Sequence, residues 1–366
     1  MKKYAFNEIT TWQYVFLIFS SEIGIGALPF PSNVARYAGT DSWISVIFGW
    51  VLITAASLAI IQAMKRCPDG TLLDLLTNYW GKWAGGAGAI VVALYFAFFT
   101  YVVFSRTVIY VKAWLLPQTP ELMLVALLMI PFWLIARSGV RVHGRFAEFV
   151  VLICSWMPLI FIDVLSDAEW LHLLPMLKEG WGAVLKGTPE MVFTFLGFEM
   201  TFVLYPFLQK KDRAALGVIA GNTLALLVYL LLDLTSLVFY SPDEISQYNE
   251  PVISLLKVVE FPFIERFEIV FLAFYLLLIS LTWIPFTYCS VYATSWMLGK
   301  PDHRPHLIVL LLLLVVSYIF YQPTFRDNDK MIGWMGKLGA GFAVVFPFLL
   351  WILVAAAGRR RRTSAH

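Results

Sequence analysis

Charge is what this chain has least of. Only 14% of its 366 residues are Asp, Glu, Lys or Arg, against about a quarter in soluble globular domains. Cysteine is scarce as well: Cys67, Cys154 and Cys289 are the three. Their spacing matches no metal-binding pattern and two of them lie in apolar runs, so they read as small hydrophobic residues. The five histidines, His143, His172, His303, His306 and His366, fall in loops or at the ends of apolar runs. There is no glycine-rich phosphate loop, and no nucleophile stands beside a base. These absences argue against an enzyme, a bound metal or a cofactor. A net charge of +3 gives no electrostatic footprint for nucleic acid. No polar stretch is long enough to form a separate soluble module.

What remains is apolar. Hydrophobic residues make up 60% of the chain and the mean hydropathy is +0.76. Runs of about 20 apolar residues recur throughout, each long enough to cross a bilayer core of about 30 Å as a helix. The sequence predicts an all-α polytopic membrane protein, a single integral domain over residues 1–366. Ten spans are expected, at about 11–36, 42–64, 84–113, 121–137, 145–164, 189–208, 214–240, 266–298, 306–321 and 333–357. The start, "MKKYAFNEIT", has no small-residue cleavage site, so the first span is expected to stay in the protein.

The basic residues test that count. With both termini in the cytoplasm, that side receives Lys2 and Lys3, then Lys65, Arg66 and Lys82, then Arg137, Arg141 and Arg145. It also receives Lys210, Lys211, Arg213, Lys300, Arg304 and the basic tail at 358–366, with Arg359 to Arg362. This is the bias expected when positive charge is retained inside. The segments Asp163–Glu190 and Ser241–Glu268 are too polar to span. Both are predicted to be external loops, the second with an amphipathic stretch, "PVISLLKVVEF".

Ten spans divide into five and five, which permits an inverted repeat of about 11–164 and 189–357. The first span of each half is interrupted. Span 1 carries "EIGIG", with Glu22, Gly24 and Gly26, followed by Pro29 and Pro31; span 6 carries "LGFEM", with Gly197 and Glu199, followed by Pro206. Glycine costs about 1 kcal/mol in a helix interior and proline about 3. A charge at mid-membrane costs about 2.5–3.5 kcal/mol on insertion scales. A plain anchor has no use for these residues, but an unwound helix lining a protein-buried cavity does. Such breaks present amides to an anionic group and carbonyls to a cation, which suits a zwitterionic amino acid near Gly24 to Ala27. "GGAG" at Gly85 to Gly88 has no counterpart in the other half and reads as close helix packing.

The candidate ligand-binding residues are Gly24, Ile25, Gly26, Leu196, Gly197, Phe198 and Glu199 at the breaks. Phe96 and Thr100 in span 3, and Ser280 and Thr282 in span 8, are added by depth. Glu22, Glu199, Asp233 and Arg106 are candidates for proton or charge coupling, Arg106 either snorkelling outward or pairing with an acid such as Glu22. Each carboxyl also has a structural alternative, buried and hydrogen-bonded, and a hydroxyl in a membrane helix often bonds its own backbone.

Taken in order, "TTWQYVFLIF", "GIGALPFP", "AGTDSWIS", "LPQTP", "FLGFEM" and "FPFIERFE" resemble the endospore germination permease family over nearly the whole chain. This is the B-type membrane subunit of germinant receptors, a family similar to the amino acid–polyamine–organocation transporters. The resemblance implies an amino acid transporter-like fold with spans 1 and 6 discontinuous and a ligand pocket between spans 1, 3, 6 and 8. It also implies A-type and lipoprotein C-type partner subunits in the spore inner membrane. Gly24, Gly26 and Leu196 to Glu199 match the family pattern. Glu22, where a neutral residue is expected, and Phe274–Tyr275, where tryptophan is common, depart from it. The residues alone leave three functions open: a nutrient receptor, an amino acid transporter coupled to protons or to sodium through span 1 and span 8 oxygens, and an ion or water conduit.

Overall fold

In a computed structural model of the chain, residues 7–258, 266–300 and 302–363 are described. Lys2 and Lys3, most of "FPFIERFE" and the last residues of the tail lie outside them, as do the side chains of Arg359 to Arg362. The fold is all-helical. Among the described residues the extended contact is one isolated bridge, Ile9 with Leu208.

In chain order the helices are α1 (Thr11–Glu22), α2 (Phe30–Ala38), α3 (Ser42–Met64), α4 (Leu72–Trp80), α5 (Lys82–Tyr110) and α6 (Glu121–Ala136). Then come α7 (Val140–Cys154), α8 (Met157–Val164), α9 (Gly180–Thr194), α10 (Phe198–Phe207, partly 3₁₀) and α11 (Ala214–Phe239). Two short helices, α12 (Pro242–Ile245) and α13 (Pro251–Leu256), precede α14 (Phe267–Met297), α15 (Arg304–Phe320), α16 (Phe325–Gly339) and α17 (Phe346–Thr363). Six continuous stretches are long and apolar enough to cross a membrane, and α9 with α10 makes a seventh if the bent pair is one span. The apolar helices α6 and α15 are shorter. Leu94, Leu127, Ile130 and Leu313 point outward from the bundle, each more than half exposed. That outward apolar surface is what a bilayer covers. This is an integral membrane protein.

Two boundaries differ from the sequence expectation. The sixth expected span begins with α9 at Gly180, not near 189, so the end of the supposed loop is helical. The last begins at Phe325, not near 333, because Thr324 and Asp327 form a capping box at its start. Of the loop helices, α13 lies in the amphipathic stretch, and α12 precedes it in the same loop. Gly85 and Gly88 pack α5 against α4, where a Cβ would strike Thr77 and Leu76.

The loops sort into two ends. At one end Lys211 pairs with Asp69 (2.6 Å), Asn7 accepts from the Arg141 amide (3.1 Å), and Tyr288 packs on His303. These contacts gather the basic loops, so this is the basic end. At the other end Asp41 accepts from the Leu177 amide (2.9 Å), Arg36 donates to Ser246 O (3.2 Å), and Tyr110 donates to Glu250 (2.8 Å).

A pair of broken helices beneath a polar vestibule

The first break starts where α1 runs out. Thr10 and Gln13 cap α1 at its start with a reciprocal box, and the helix stops at Glu22. From Ile23 to Pro29 the chain is turns rather than helix, and α2 restarts at Phe30 with Pro31 in its first turn. Pro29 and Pro31 supply no amide hydrogen to continue the ladder. The stranded carbonyls find hydroxyls from neighbouring helices. Tyr229 on α11 donates to Glu22 O (2.5 Å), and Tyr275 on α14 donates to Gly24 O (2.7 Å). Thr282 reaches the Ser20 and Ser21 carbonyls at 3.4 and 3.5 Å.

The second break turns on Gly197, whose φ of +145° is open to glycine and strained for other residues. There α9 and α10 meet with a 48° bend. Glu199 holds the turn: its carboxylate accepts from the Gly197 amide (2.8 Å) and from the Tyr95 hydroxyl (2.8 Å). Tyr229 also donates to Thr194 O (3.2 Å), so one hydroxyl ties the two breaks together. The breaks are in direct contact. A Cβ on Gly197 would lie 2.6 Å from Ser21 Oγ, and one on Gly26 would lie 3.2 Å from Thr194.

Two neighbouring spaces adjoin this contact. A cavity of about 20 Å³ lies between Glu22, Gly24, Gly26, Leu196, Thr282 and Phe99. It has room for about one water. Beyond Ile25, Gly26, Phe193 and Thr194, which line both, a vestibule of about 640 Å³ widens toward the end opposite the basic loops. Its polar lining includes Asn33, Arg36, Glu190, Asn249, Glu250 and Asp329. The basic end is shut. The Ile9 amide donates to Phe207 O (2.9 Å), the Gln209 amide donates to Ile9 O (3.1 Å), and Tyr14 shares a hydrogen bond with Thr201 (2.7 Å).

Arg106 stands at the vestibule wall. It donates to Asn328 Oδ1 (2.7 Å), pairs with Asp329 and lies 3.8 Å from Glu250. The guanidinium is buried rather than snorkelling outward, and it pairs with acids as the second alternative had it, though these are Asp329 and Glu250 rather than Glu22. Glu250 lies in the segment between α11 and α14. Burial pushes its carboxyl up to about 7, against the opposing pull of Arg106, and Oε2 has no hydrogen-bond partner among the described residues.

The structure thus gathers part of the candidate set. Gly24, Ile25, Gly26, Leu196, Thr282 and Glu22 line the space at the breaks. Glu22 keeps one carboxylate oxygen unpartnered among the described residues. With the Asn222 amide turned so that both its groups are satisfied, Asn222 donates to the other (2.9 Å). Gly197 and Glu199 build the turn without lining the cavity. Phe198 is fully buried nearby. Phe96 packs among Tyr95, Phe286 and Phe342, and Thr100 bonds Thr287 (3.2 Å) in the α5–α14 seam. Ser280 bonds its own helix at Leu277 O (2.6 Å), and Asp233 accepts from Ser42 (2.7 Å) away from the cavity. Sequence reading missed Tyr229, whose only signal is a hydroxyl inside an apolar run, and the vestibule residues Glu250 and Asp329; it marked Tyr275 as a departure from the family pattern but not as a partner of the first break.

The Glu199 geometry gives a direct expectation. Glu199→Ala leaves the buried Gly197 amide and Tyr95 hydroxyl unpaired and should cost about 1–3 kcal/mol for each buried group stranded. Glu199→Gln keeps an acceptor for the amide and should recover most of the loss. Thermal unfolding of the two variants checks this; an alanine variant as stable as the parent would refute the capping role.

A sequence model described as spore germination protein matches residues 8–330. The chain belongs to the spore germination protein family. It is 25% identical to spore germination protein GerQB of Bacillus cereus, over 97% of this chain and 98% of that protein. It is 26% identical to YndE of Bacillus subtilis (strain 168), over 89% and 90%. Among solved structures it is similar to MhsT in complex with L-phenylalanine, with a TM-score of 0.62, 14% identity and coverage of 94% and 98%. It is also similar to a substrate-bound, outward-open Na⁺-coupled sialic acid symporter, with a TM-score of 0.70, 13% identity and coverage of 96% and 80%. At these identities the likeness shows a shared fold. The homologues are germination proteins and the structural neighbours transporters; the family is not one of enzymes.

Proposed function

We propose that this germination family member is the membrane-embedded, ligand-sensing subunit of a germinant receptor, and that it binds a small nutrient of the amino acid class between its two broken helices. The observation that carries the reading is the contact of the breaks, Gly197 on Ser21 and Gly26 on Thr194, at the foot of a wide polar vestibule. The space there holds about one water, so an amino acid must part α1 and α9 to enter. A ligand that fits only the parted state shifts the equilibrium toward it, and differential affinity of that kind is the thermodynamic content of a signal. The L-phenylalanine bound to MhsT supports the amino acid class.

On this reading the ten expected spans form the five-plus-five inverted repeat, with α1–α2 and α9–α10 as its matching first helices. The basic end faces the cytoplasm with both termini, and the vestibule opens outward from the spore inner membrane. A-type and C-type subunits read the change. The second reading, transport coupled to a proton or cation, draws on the Glu22 oxygen that lacks a partner among the described residues and on the Thr282 hydroxyl near the Ser20 and Ser21 carbonyls.

A thermal-shift screen of the purified protein against amino acids, sugars and nucleosides tests the ligand class. At 100 times the dissociation constant, a ligand specific to the folded state stabilises it by about 2.7 kcal/mol. No shift with any amino acid would remove that class. Counterflow in liposomes separates the readings: saturable binding without uptake supports the receptor, and concentrative ion-dependent uptake supports the transporter. Gly26→Leu should fill the space beside Thr194 and abolish the shift from any ligand found. An undiminished shift in the folded variant would place the ligand elsewhere.

A further inference from the structure

A second concavity lies outside the bundle's interior, at the basic end. The residues lining the α5–α14 seam there are small: Ala93 and Ala97 on α5, Ser290 and Thr294 on α14. Ser290 donates to Ala93 O (2.8 Å), which brings the two backbones close. Larger side chains, Leu94, Leu298, Val309 and Leu313, complete the lining. The result is a trough of about 580 Å³ that opens sideways, toward the surface covered by hydrocarbon.

The trough ends in positive charge. Lys300 and His306 line its mouth. Gly299, at φ +64°, turns the chain at the end of α14, and the Ser295 side chain and backbone fix Lys300 through its carbonyl and amide. Among the described residues the Lys300 ammonium forms no ion pair, whereas its neighbour Arg304 is near Asp302 (4.0 Å). Trp83 marks the depth. It is 93% exposed on the same face of α5 as Leu94, eleven residues or about 16 Å earlier. Exposed tryptophan at a helix end lies at the boundary between headgroups and hydrocarbon.

An apolar channel open to the bilayer, with a cation where the headgroups begin, matches one molecule in both parts. We propose that the α5–α14–α15 trough is a binding site for an anionic phospholipid, with an acyl chain along Ala93, Ala97 and Ser290 and the phosphate at Lys300 and His306. A zwitterionic lipid offers the same chain but no net charge to the mouth. A basic side chain near an anionic lipid surface is worth about 1 kcal/mol, which is about fivefold in affinity.

The experiment uses the full-length protein purified in detergent and offered equal amounts of phosphatidylglycerol and phosphatidylcholine, with bound lipid counted by native mass spectrometry. Phosphatidylglycerol should be retained about fivefold over phosphatidylcholine. Lys300→Gln should remove that preference while leaving the melting temperature in detergent alone unchanged. Ala97→Trp, which fills the trough, should reduce retention of both lipids. A photoreactive side chain at Leu94 should label lipid in native membranes. Equal retention of the two lipids would overturn the proposal, as would an intact preference in Lys300→Gln or full retention in Ala97→Trp. Labelling of a polypeptide at Leu94 would assign the trough to a protein partner instead. Competition by soluble glycerol phosphate alone would assign the mouth to a free phosphate.

Discussion

Gly197→Ala is expected to lower stability by about 2–6 kcal/mol and to abolish the ligand response. Two costs act at the same atom. The backbone there sits at φ +145°, where a side chain is strained by about 1–3 kcal/mol. The added Cβ would also meet Ser21 at Oγ (2.6 Å), the carbonyl carbon (2.8 Å) and Cβ (2.9 Å), and overpacking of this kind costs about 1–3 kcal/mol. Ser21→Ala in the same chain relieves the hydroxyl overlap alone, so rescue should be partial. Thermal unfolding in detergent at a fixed scan rate reads both effects. Full rescue by Ser21→Ala would show that the backbone conformation carries no strain, and an unchanged midpoint in the single variant would contradict the contact between the breaks.

Arg106→Met should cost about 2 kcal/mol or more, and more at pH 8 than at pH 6. Removing one member of a buried charge cluster strands the others. Here the stranded groups are Asn328 and Glu250, while Asp329 remains largely in solvent. The sign of the pH effect follows from Glu250. Its carboxyl titrates at about 7 in the folded protein, above its ordinary range. A carboxyl raised on folding contributes its stability below the unfolded value, and that stability is lost as pH rises through the folded one. Without Arg106 the carboxylate has lost its cation, so the loss on the alkaline side deepens. At pH 6 Glu250 takes up a proton and the variant recovers in part. Midpoints for parent and variant at the two pH values give the answer, and an equal deficit at both would exclude Glu250 as the stranded acid.

The breaks themselves were legible because glycine, proline and glutamate are costly at mid-membrane, and their cost is visible without coordinates. The roles within them were less so. Glu199 and Glu22 look alike in sequence, yet one caps a turn and the other faces a cavity. Which way each points depends on the backbone of a segment that is not a regular helix. Depth singles out Thr100, Phe96 and Ser280, but depth does not identify a helix face when apolar residues surround the helix. The partners of Arg106 lie more than 140 residues away in the chain, beyond any local signal. The polar start of α16 reads as a loop until the Thr324–Asp327 box is recognised.

The bridge between Ile9 and Leu208 makes the leading edge of α1 and the trailing edge of α10 a single mechanical piece. Any tilt of α1 that parts the helices at Gly26 must either break the two backbone hydrogen bonds of Ile9 or drag the Lys211–Asp69 corner with it. Slowed or hastened deuterium uptake at the Ile9 and Gln209 amides therefore becomes a gauge, mounted on the far face of the molecule, for events deep in the bilayer.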